Sequence, residues 1–273
     1  MKKRLWKITL LAALLALPAV FFAQISIADS LARLLEKAPA DTHRVTLLTD
    51  YAWEINELHT DEAEVRLKEA LALAQKLNYA KGEALAWNGL GVVEDIRGNA
   101  AQAEVFFKKA IDMRRRLGDL GGIGASLNNL AVLYEMSGRF DSALTIHSEN
   151  LRIQQELRDT VKIARALFNM AAAKQEMGLY PEAQSDLLEA RLILEAQKDR
   201  DGIAKVYTQV GHLQFELERY DTALVWYERA LRLRKQLDDP GRRAEALTDY
   251  ANALDEIDSS KLALKYYEQA LDI

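Results

Sequence analysis

The chain has 273 residues, of which 49% are hydrophobic, and a formal net charge of −5. With only 13 Gly and 4 Pro, the composition favours long helices and argues against a sheet protein or a disordered chain. The absence of Cys excludes disulfides, thiolate metal sites and cysteine catalysis.

The first predicted element is a leader over residues 1–28. A basic start, Lys2-Lys3-Arg4, precedes the uncharged apolar run from Ile8 to Phe22. Ser26 and Ala28 fit the small-x-small pattern of a cleavage site, so the stretch predicts a secretory signal peptide. An uncleaved anchor is the alternative, because residues 8–28 are long enough to span a bilayer. Either interpretation predicts export, with the rest of the chain periplasmic or membrane-anchored outside the cytoplasm.

A short lead-in over residues 29–40 is followed by an internal repeat. From residue 81 the chain divides into blocks of 40 residues, in which the same residue types recur at fixed offsets. Large apolar residues three apart share one helical face, and small residues beside them let neighbouring helices approach. The columns are Trp87, Leu127, Leu167, Tyr207, Leu247; Leu90, Leu130, Met170, Val210, Tyr250; Gly91, Ala131, Ala171, Gly211, Ala251; and Ala103, Ala143, Ala183, Ala223, Ala263.

Each block predicts two antiparallel helices joined by a tight turn. Gly98, Gly138 and Gly178 lie between the two apolar stretches, where a helix ends and a left-handed cap is needed. A more diverged first pair precedes these blocks, in which Leu48 and Ala52 fit the early columns if the turn is one residue shorter.

The motif Trp87-x-x-Leu90-Gly91, followed by Ala103-x-x-x-Phe107 and Ala110, resembles the tetratricopeptide repeat (TPR). The period of 40 exceeds the standard 34 and is similar to that of kinesin light chains and of many bacterial signalling proteins. The resemblance implies an all-α fold, a right-handed α-α superhelix (solenoid) of about six TPR hairpins. The predicted units are residues 41–80, 81–120, 121–160, 161–200, 201–240 and an incomplete 241–273.

The sequence shows no catalytic motif. The 4 His, at positions 43, 59, 147 and 212, are scattered, and no H-E-x-x-H, P-loop or G-x-S-x-G occurs. We therefore predict no enzymatic activity, no cofactor and no metal site, and the lack of a basic stripe argues against nucleic acid. His147 falls in a packing column and predicts a core residue. Asp199, Asp238 and Asp239 lie at turns between repeats and predict helix caps.

The resemblance also implies where a partner binds. In this family the first helix of each unit lines a concave groove, through the positions one, two, five, eight and nine after the Trp87 column. Side-chain amides at these positions can form hydrogen bonds with the backbone of an extended peptide. Arg165 and Lys205 can pair with an acidic group of the same ligand. The alternative is that the amides only satisfy loop carbonyls or bridge adjacent repeats. The predicted groove residues are Asn88, Asn128, Asn129, Val132, Arg165, Phe168, Asn169, Lys205, Gln209 and His212, with Met136 and Phe215 as further apolar contacts.

The predicted function is a non-enzymatic, protein- or peptide-binding scaffold. The second helix of the last unit is incomplete in this register, so we expect a longer protein. A leader followed by elongated TPR units is similar to the extracytoplasmic sensor region of bacterial histidine kinases and related regulators, which implies a following transmembrane helix and output domain. The alternative is a stand-alone envelope scaffold or assembly protein.

Overall fold

The computed structural model describes residues 17–237 and 239–273, with side chains from residue 27 onward. All regular secondary structure in this part of the chain is α-helical, which confirms the predicted all-α class. The helices are α1 (Leu17–Lys37), α2 (Thr42–Ile55), α3 (Thr60–Lys76), α4 (Ala80–Ile96), α5 (Ala100–Leu117), α6 (Leu120–Met136), α7 (Phe140–Glu156), α8 (Thr160–Glu176), α9 (Tyr180–Gln197), α10 (Arg200–Glu216), α11 (Tyr220–Arg234), α12 (Pro240–Glu256) and α13 (Ser260–Leu271).

The helix boundaries reproduce the 40-residue period of the sequence. First helices begin at Ala80, Leu120, Thr160, Arg200 and Pro240, and second helices at Ala100, Phe140, Tyr180, Tyr220 and Ser260. The first hairpin departs from this spacing. α2 ends seven residues after Leu48 whereas α4 ends nine residues after Trp87, and the turn that follows α2 has four residues instead of three, so the hairpin is shorter in its helix and not in its turn.

Helix starts at the junctions between repeats are capped by aspartates. The carboxylates of Asp159, Asp199 and Asp239 accept hydrogen bonds from the backbone N–H of Lys162, Gly202 and Arg242 at 2.9–3.1 Å. Each satisfies one of the amide groups that a helix start leaves unpaired. The capping roles predicted for Asp199 and Asp239 are confirmed, and Asp238 lies outside the described residues.

The tight turns inside the hairpins also follow the sequence. Gly98, Gly138 and Gly178 have φ angles of 76°, 67° and 72°, the left-handed conformation predicted for them. The backbone N–H of Gly178 bonds to the carbonyl of Gln175, which closes the end of α8. These turns reverse the chain within three residues and set the two helices of a pair side by side.

The apolar columns form the core. All the alanines of the Ala103 column are at most 1% exposed, as are Phe107 and Leu187 in the column four residues later. His147, in that same column, is fully buried with Nε2 2.9 Å from Glu135 Oε1, so its predicted core position is confirmed.

The chain divides into two halves, an N-terminal half through Leu133 and a C-terminal half from Tyr134. In the N-terminal half the helices from α1 to α5 pack on their neighbours in sequence, and α2 also packs on α4. In the C-terminal half the same nearest-neighbour packing runs from α7 to α13, and α10 also contacts α12. Each repeat therefore buries its apolar faces against the repeats next to it.

The predicted leader lies mostly outside the described residues. The predicted cleavage point after Ala28 falls within α1, which continues through the predicted lead-in to Lys37. Within the described ranges, no helix combines the length and the apolar character required to cross a bilayer.

Candidate functional site

In the N-terminal half, two predicted groove amides bond to each other. Asn88 on α4 accepts, through Oδ1, hydrogen bonds from Asn129 Nδ2 at 3.3 Å and from Ser126 Oγ at 2.7 Å, both on α6. These bonds join two consecutive first helices, as the bridging alternative anticipated. Asn128 is half-buried beside them, and Val132, one turn further along α6, is exposed.

A buried arginine extends this polar chain into α5. Arg114 is 3% exposed, and its Nη1 donates a hydrogen bond of 2.6 Å to Ser126 Oγ. Burial lowers the pKa of the Arg114 guanidinium, an effect that the carboxylate of Asp119 opposes. Arg114 lies in the last turn of α5, and it orients Ser126 and, through it, Asn88.

In the C-terminal half, three predicted groove residues line one depression of about 170 Å³. Phe168 comes from α8, and Lys205 and Gln209 from α10. The other lining residues are Thr208, Arg234, Arg242, Glu245, Ala246 and Asp249. An aromatic ring, an amide, three cations and two carboxylates therefore face the same space, which can hold an apolar side chain beside a polar or charged group.

The cations of this depression meet at Asp201. Its carboxylate accepts two bonds of 2.6 Å from Arg242 Nη1 and one of 3.0 Å from Lys205 Nζ, and it also contacts Arg234. Burial alone raises the pKa of the Asp201 carboxyl, but the hydrogen bonds from Arg242, Lys205 and Arg234 outweigh it and hold that pKa well below its usual range. Arg242 also pairs with Asp239 at 3.3 Å, so the cations of the depression are matched by carboxylates, and Lys205 and Arg242 are the two that stay partly exposed to a ligand.

The other predicted residues of this half surround the depression or lie apart from it. Gln209 Nε2 donates to Gln175 Oε1 at 2.9 Å, a bridge between α10 and α8. His212 Nε2 lies 3.3 Å from Asp249 Oδ1 on α12, and the His212 ring packs edge-on against Tyr227. Arg165 is exposed on α8 outside the lining, and Asn169 is half-buried on the same helix.

Two further depressions, which the sequence did not predict, lie in the N-terminal half. One, of about 200 Å³, is lined by Asp50, Trp53, Asn56 and Asn88, with Thr49, Ala52, Leu67, Leu85 and Gly89. The other, of about 270 Å³, is lined by Trp53, Glu54, Asn56, Glu57, Leu58, Val92 and Ile96. The signal was available in the sequence, because Asp50, Trp53 and Asn56 lie two, five and eight residues after Leu48, which occupies the Trp87 column.

Comparison with known proteins agrees with the repeat geometry. A family model described as the tetratricopeptide repeat matches residues 82–156, 122–196, 162–236 and 202–273, together more than half of the chain. The chain belongs to the tetratricopeptide repeat family. The matches step along this TPR chain by 40 residues, the period of its helices. TPR folds are typically non-catalytic, and their stacked helical pairs are suited to protein–protein contacts.

Solved structures similar to this TPR chain include BtubC (BKLC) from P. vanneervenii, with 22% identity over 75% of this chain and 85% of that chain and a TM-score of 0.65. A Signal Transduction ATPase with Numerous Domains (STAND) protein with a tetratricopeptide repeat sensor, from Pyrococcus horikoshii, has 14% identity over 92% of this chain and 40% of that chain, with a TM-score of 0.74. A putative kinesin light chain from Podosopora anserina has 15% identity over 68% of this chain and 91% of that chain, with a TM-score of 0.58.

These likenesses show the fold and support the predicted relation to kinesin-light-chain-like TPR proteins. A search of curated protein sequences gave no match.

Proposed function

We propose that this chain is an exported, non-enzymatic TPR scaffold that binds a peptide or protein segment carrying an acidic group. The observation that carries the proposal is the depression of the C-terminal half, where Phe168 and Gln209 lie beside Lys205, Arg234 and Arg242. The ring offers apolar contact and the amide can pair with a peptide backbone. Lys205 and Arg242, the partly exposed cations, attract a carboxylate of the ligand, and such charge pairs govern specificity.

A peptide array tests this binding. The full chain would be applied to nonapeptides of mixed sequence, each present in an acidic form and in a matched form with Lys and Arg replacing Asp and Glu. Lys205→Glu and Phe168→Ala should each weaken binding to the acidic forms at least tenfold, because they reverse a charge or remove the ring. Lys235→Glu, an equal charge change at an exposed position at the end of α11, should leave binding unchanged.

Two results would contradict the binding proposal. One is retention of acidic peptides by both folded variants. The other is equal loss with Lys235→Glu, since that would reflect net charge alone.

Export is proposed from the basic and apolar leader pattern. Residues 1–40 fused to alkaline phosphatase, which is active only outside the bacterial cytoplasm, should give active enzyme. Leu14→Arg should abolish that activity by placing a charge in the apolar run. Mass spectrometry of the exported chain distinguishes cleavage, which leaves Asp29 as the first residue, from a retained anchor. Enzyme that stays inactive with the native leader counts against export.

We further propose that the scaffold is the sensory part of a bacterial signal-transduction protein. The support is the leader pattern together with the similar STAND protein, in which TPR units are described as a sensor. The coding sequence downstream of the Ile273 codon tests this. A transmembrane helix followed by a kinase or regulator domain is expected, whereas an immediate stop codon would contradict the proposal.

A further inference from the structure

The two depressions of the N-terminal half form one elongated surface, because both are lined by Trp53 and Asn56. They differ in charge from the depression of the C-terminal half. Their lining contains the carboxylates of Asp50, Glu54 and Glu57 and, among the described residues, no Lys, Arg or His. None of these three carboxylates forms an ion pair with another described residue.

The apolar part of the surface is unusually open. Trp53 is 56% exposed, and Leu58 and Ile96 are 48% and 44% exposed around the same depression. A half-exposed indole next to aliphatic side chains forms a patch of the kind that marks an interaction site. The face of an indole also attracts cations, and neighbouring carboxylates strengthen that attraction.

Asn56 supplies a polar group that the fold leaves unused. The residue is only 8% exposed and lines both depressions, yet its side-chain amide has no hydrogen-bond partner among the described residues. Because this amide lines both depressions, it is placed to form hydrogen bonds with a ligand there. The amide can both donate to and accept from a peptide group.

Asp50 lies at the other end of this surface. Burial raises the pKa of the Asp50 carboxyl, while His43 nearby acts in the opposite direction. Asp50 is exposed on α2, so its carboxylate is accessible to a cation that a ligand brings in.

We propose that this surface binds a segment of a partner protein that carries Lys or Arg beside an apolar residue. The cation lies over Trp53 between the carboxylates of Asp50 and Glu57, the apolar side chain packs on Leu58 and Ile96, and the Asn56 amide bonds to the segment backbone. A small cation alone would cover only part of the elongated surface formed by the two depressions. The occupant is therefore a peptide segment. The site shares no residue with the proposed acidic-peptide site of the C-terminal half.

The paired peptide array tests this site separately. The full chain should bind the Lys- and Arg-bearing forms of apolar nonapeptides, and this binding should depend on the residues of the N-terminal surface. Trp53→Ala and Glu57→Lys should each reduce binding of the cationic forms at least tenfold and leave binding of acidic forms at the C-terminal site unchanged. Raising the salt concentration should weaken binding of the cationic forms, because screening reduces attraction between exposed charges.

Matched controls lie elsewhere in the same half. Val65→Ala removes an exposed aliphatic side chain from α3, and Glu36→Lys reverses an exposed charge on α1; neither should change binding of the cationic forms. Helical circular dichroism verifies folding, and Glu57→Lys keeps the test decisive if Trp53→Ala misfolds. Failure of the full chain to bind the cationic forms, or cationic binding that survives Glu57→Lys in the folded protein, would overturn the proposal.

Discussion

Five non-glycine residues in the described part of the chain adopt left-handed backbone conformations at helix ends. They are Asn78, Arg158, Lys198, Glu218 and Asp258, with φ between 52° and 59°. Glu218 and Asp258 occupy the turn position that Gly138 and Gly178 occupy in other repeats. A side chain in this conformation costs roughly 1–2 kcal/mol, so these turns are weaker than their glycine counterparts.

Glu218→Gly should raise the free energy of unfolding by about 0.5–1 kcal/mol, because relief of the strained backbone exceeds the added freedom of the unfolded chain. Urea denaturation measures the change. The reciprocal control is Gly178→Ala, which should destabilise by a similar amount, since an added Cβ there meets no atom within 4 Å and the cost is confined to the backbone. An unchanged or lower midpoint for Glu218→Gly would show that its side chain stabilises the turn.

The Asp201 cluster gives stability a pH dependence. Hydrogen bonds from Arg242, Lys205 and Arg234 outweigh burial and lower the pKa of Asp201 in the folded state. The ionised carboxylate therefore stabilises the fold above its unfolded-state pKa of about 4, and this stabilisation is lost as the pH falls through the folded-state pKa. Asp201→Asn should therefore destabilise the chain at pH 7, and the difference from wild type should narrow below about pH 4. Urea denaturation midpoints of both proteins from pH 7 to pH 3 measure this difference in stability. A difference that does not change with pH would exclude the charge of Asp201 as its cause.

At the scale of the element, the contact between the two helices of a hairpin depends on one small residue. In the α4–α5 pair a Cβ added at Gly91 would lie 2.5 Å from the Phe107 ring, and in the α10–α11 pair one at Gly211 would lie 2.5 Å from Tyr227. The α8–α9 pair instead combines Ala171 with the smaller Leu187, both at most 1% exposed. Close packing therefore couples the size of one residue to that of its partner.

Gly91→Ala should destabilise the chain by about 1–3 kcal/mol, because the methyl group displaces the buried Phe107 ring. Combining it with Phe107→Leu reproduces the pairing of Ala171 with Leu187. The double variant should be less destabilised than the sum of the two single variants, as a double-mutant cycle with chemical denaturation measures. Additive effects would mean that contact with the Phe107 ring is not the cause of the destabilisation by Gly91→Ala.

At the scale of the whole molecule, stability arises from contacts between neighbouring repeats. Within the C-terminal half each helix packs on the next, and the period places equivalent residues at the start of α8 and α10. In such an array, removing one whole repeat restores an interface of the same kind, whereas removing one helix leaves two unlike faces together.

Deletion of residues 160–199, which removes α8 and α9, should give a helical chain that melts cooperatively at a lower temperature. Deletion of residues 160–179 removes α8 with its turn and serves as the control. The control should aggregate or lose cooperative melting, because α7 then precedes α9, a second helix without its partner. Circular dichroism melting compares the two. Equal behaviour of the two deletions would contradict repeat-by-repeat stabilisation.

The sequence by itself determined the helices, their period, the left-handed glycines, the aspartate caps and the buried columns. These features depend on residues close together in the chain, so spacing is sufficient to predict them. It also placed Phe168, Lys205 and Gln209 on one face, because consecutive first helices repeat that face every 40 residues.

Only the tertiary structure decided which polar groups meet. Asn88 bonds to Asn129, 41 residues away, and Asp201 bonds to Arg242 at the same separation. Such pairs depend on the packing of neighbouring helices and on the side-chain rotamers, and neither follows from spacing along the chain. For the same reason, spacing does not predict the contrast between the acidic N-terminal surface at Trp53 and the C-terminal depression at Lys205, which is lined by charges of both signs.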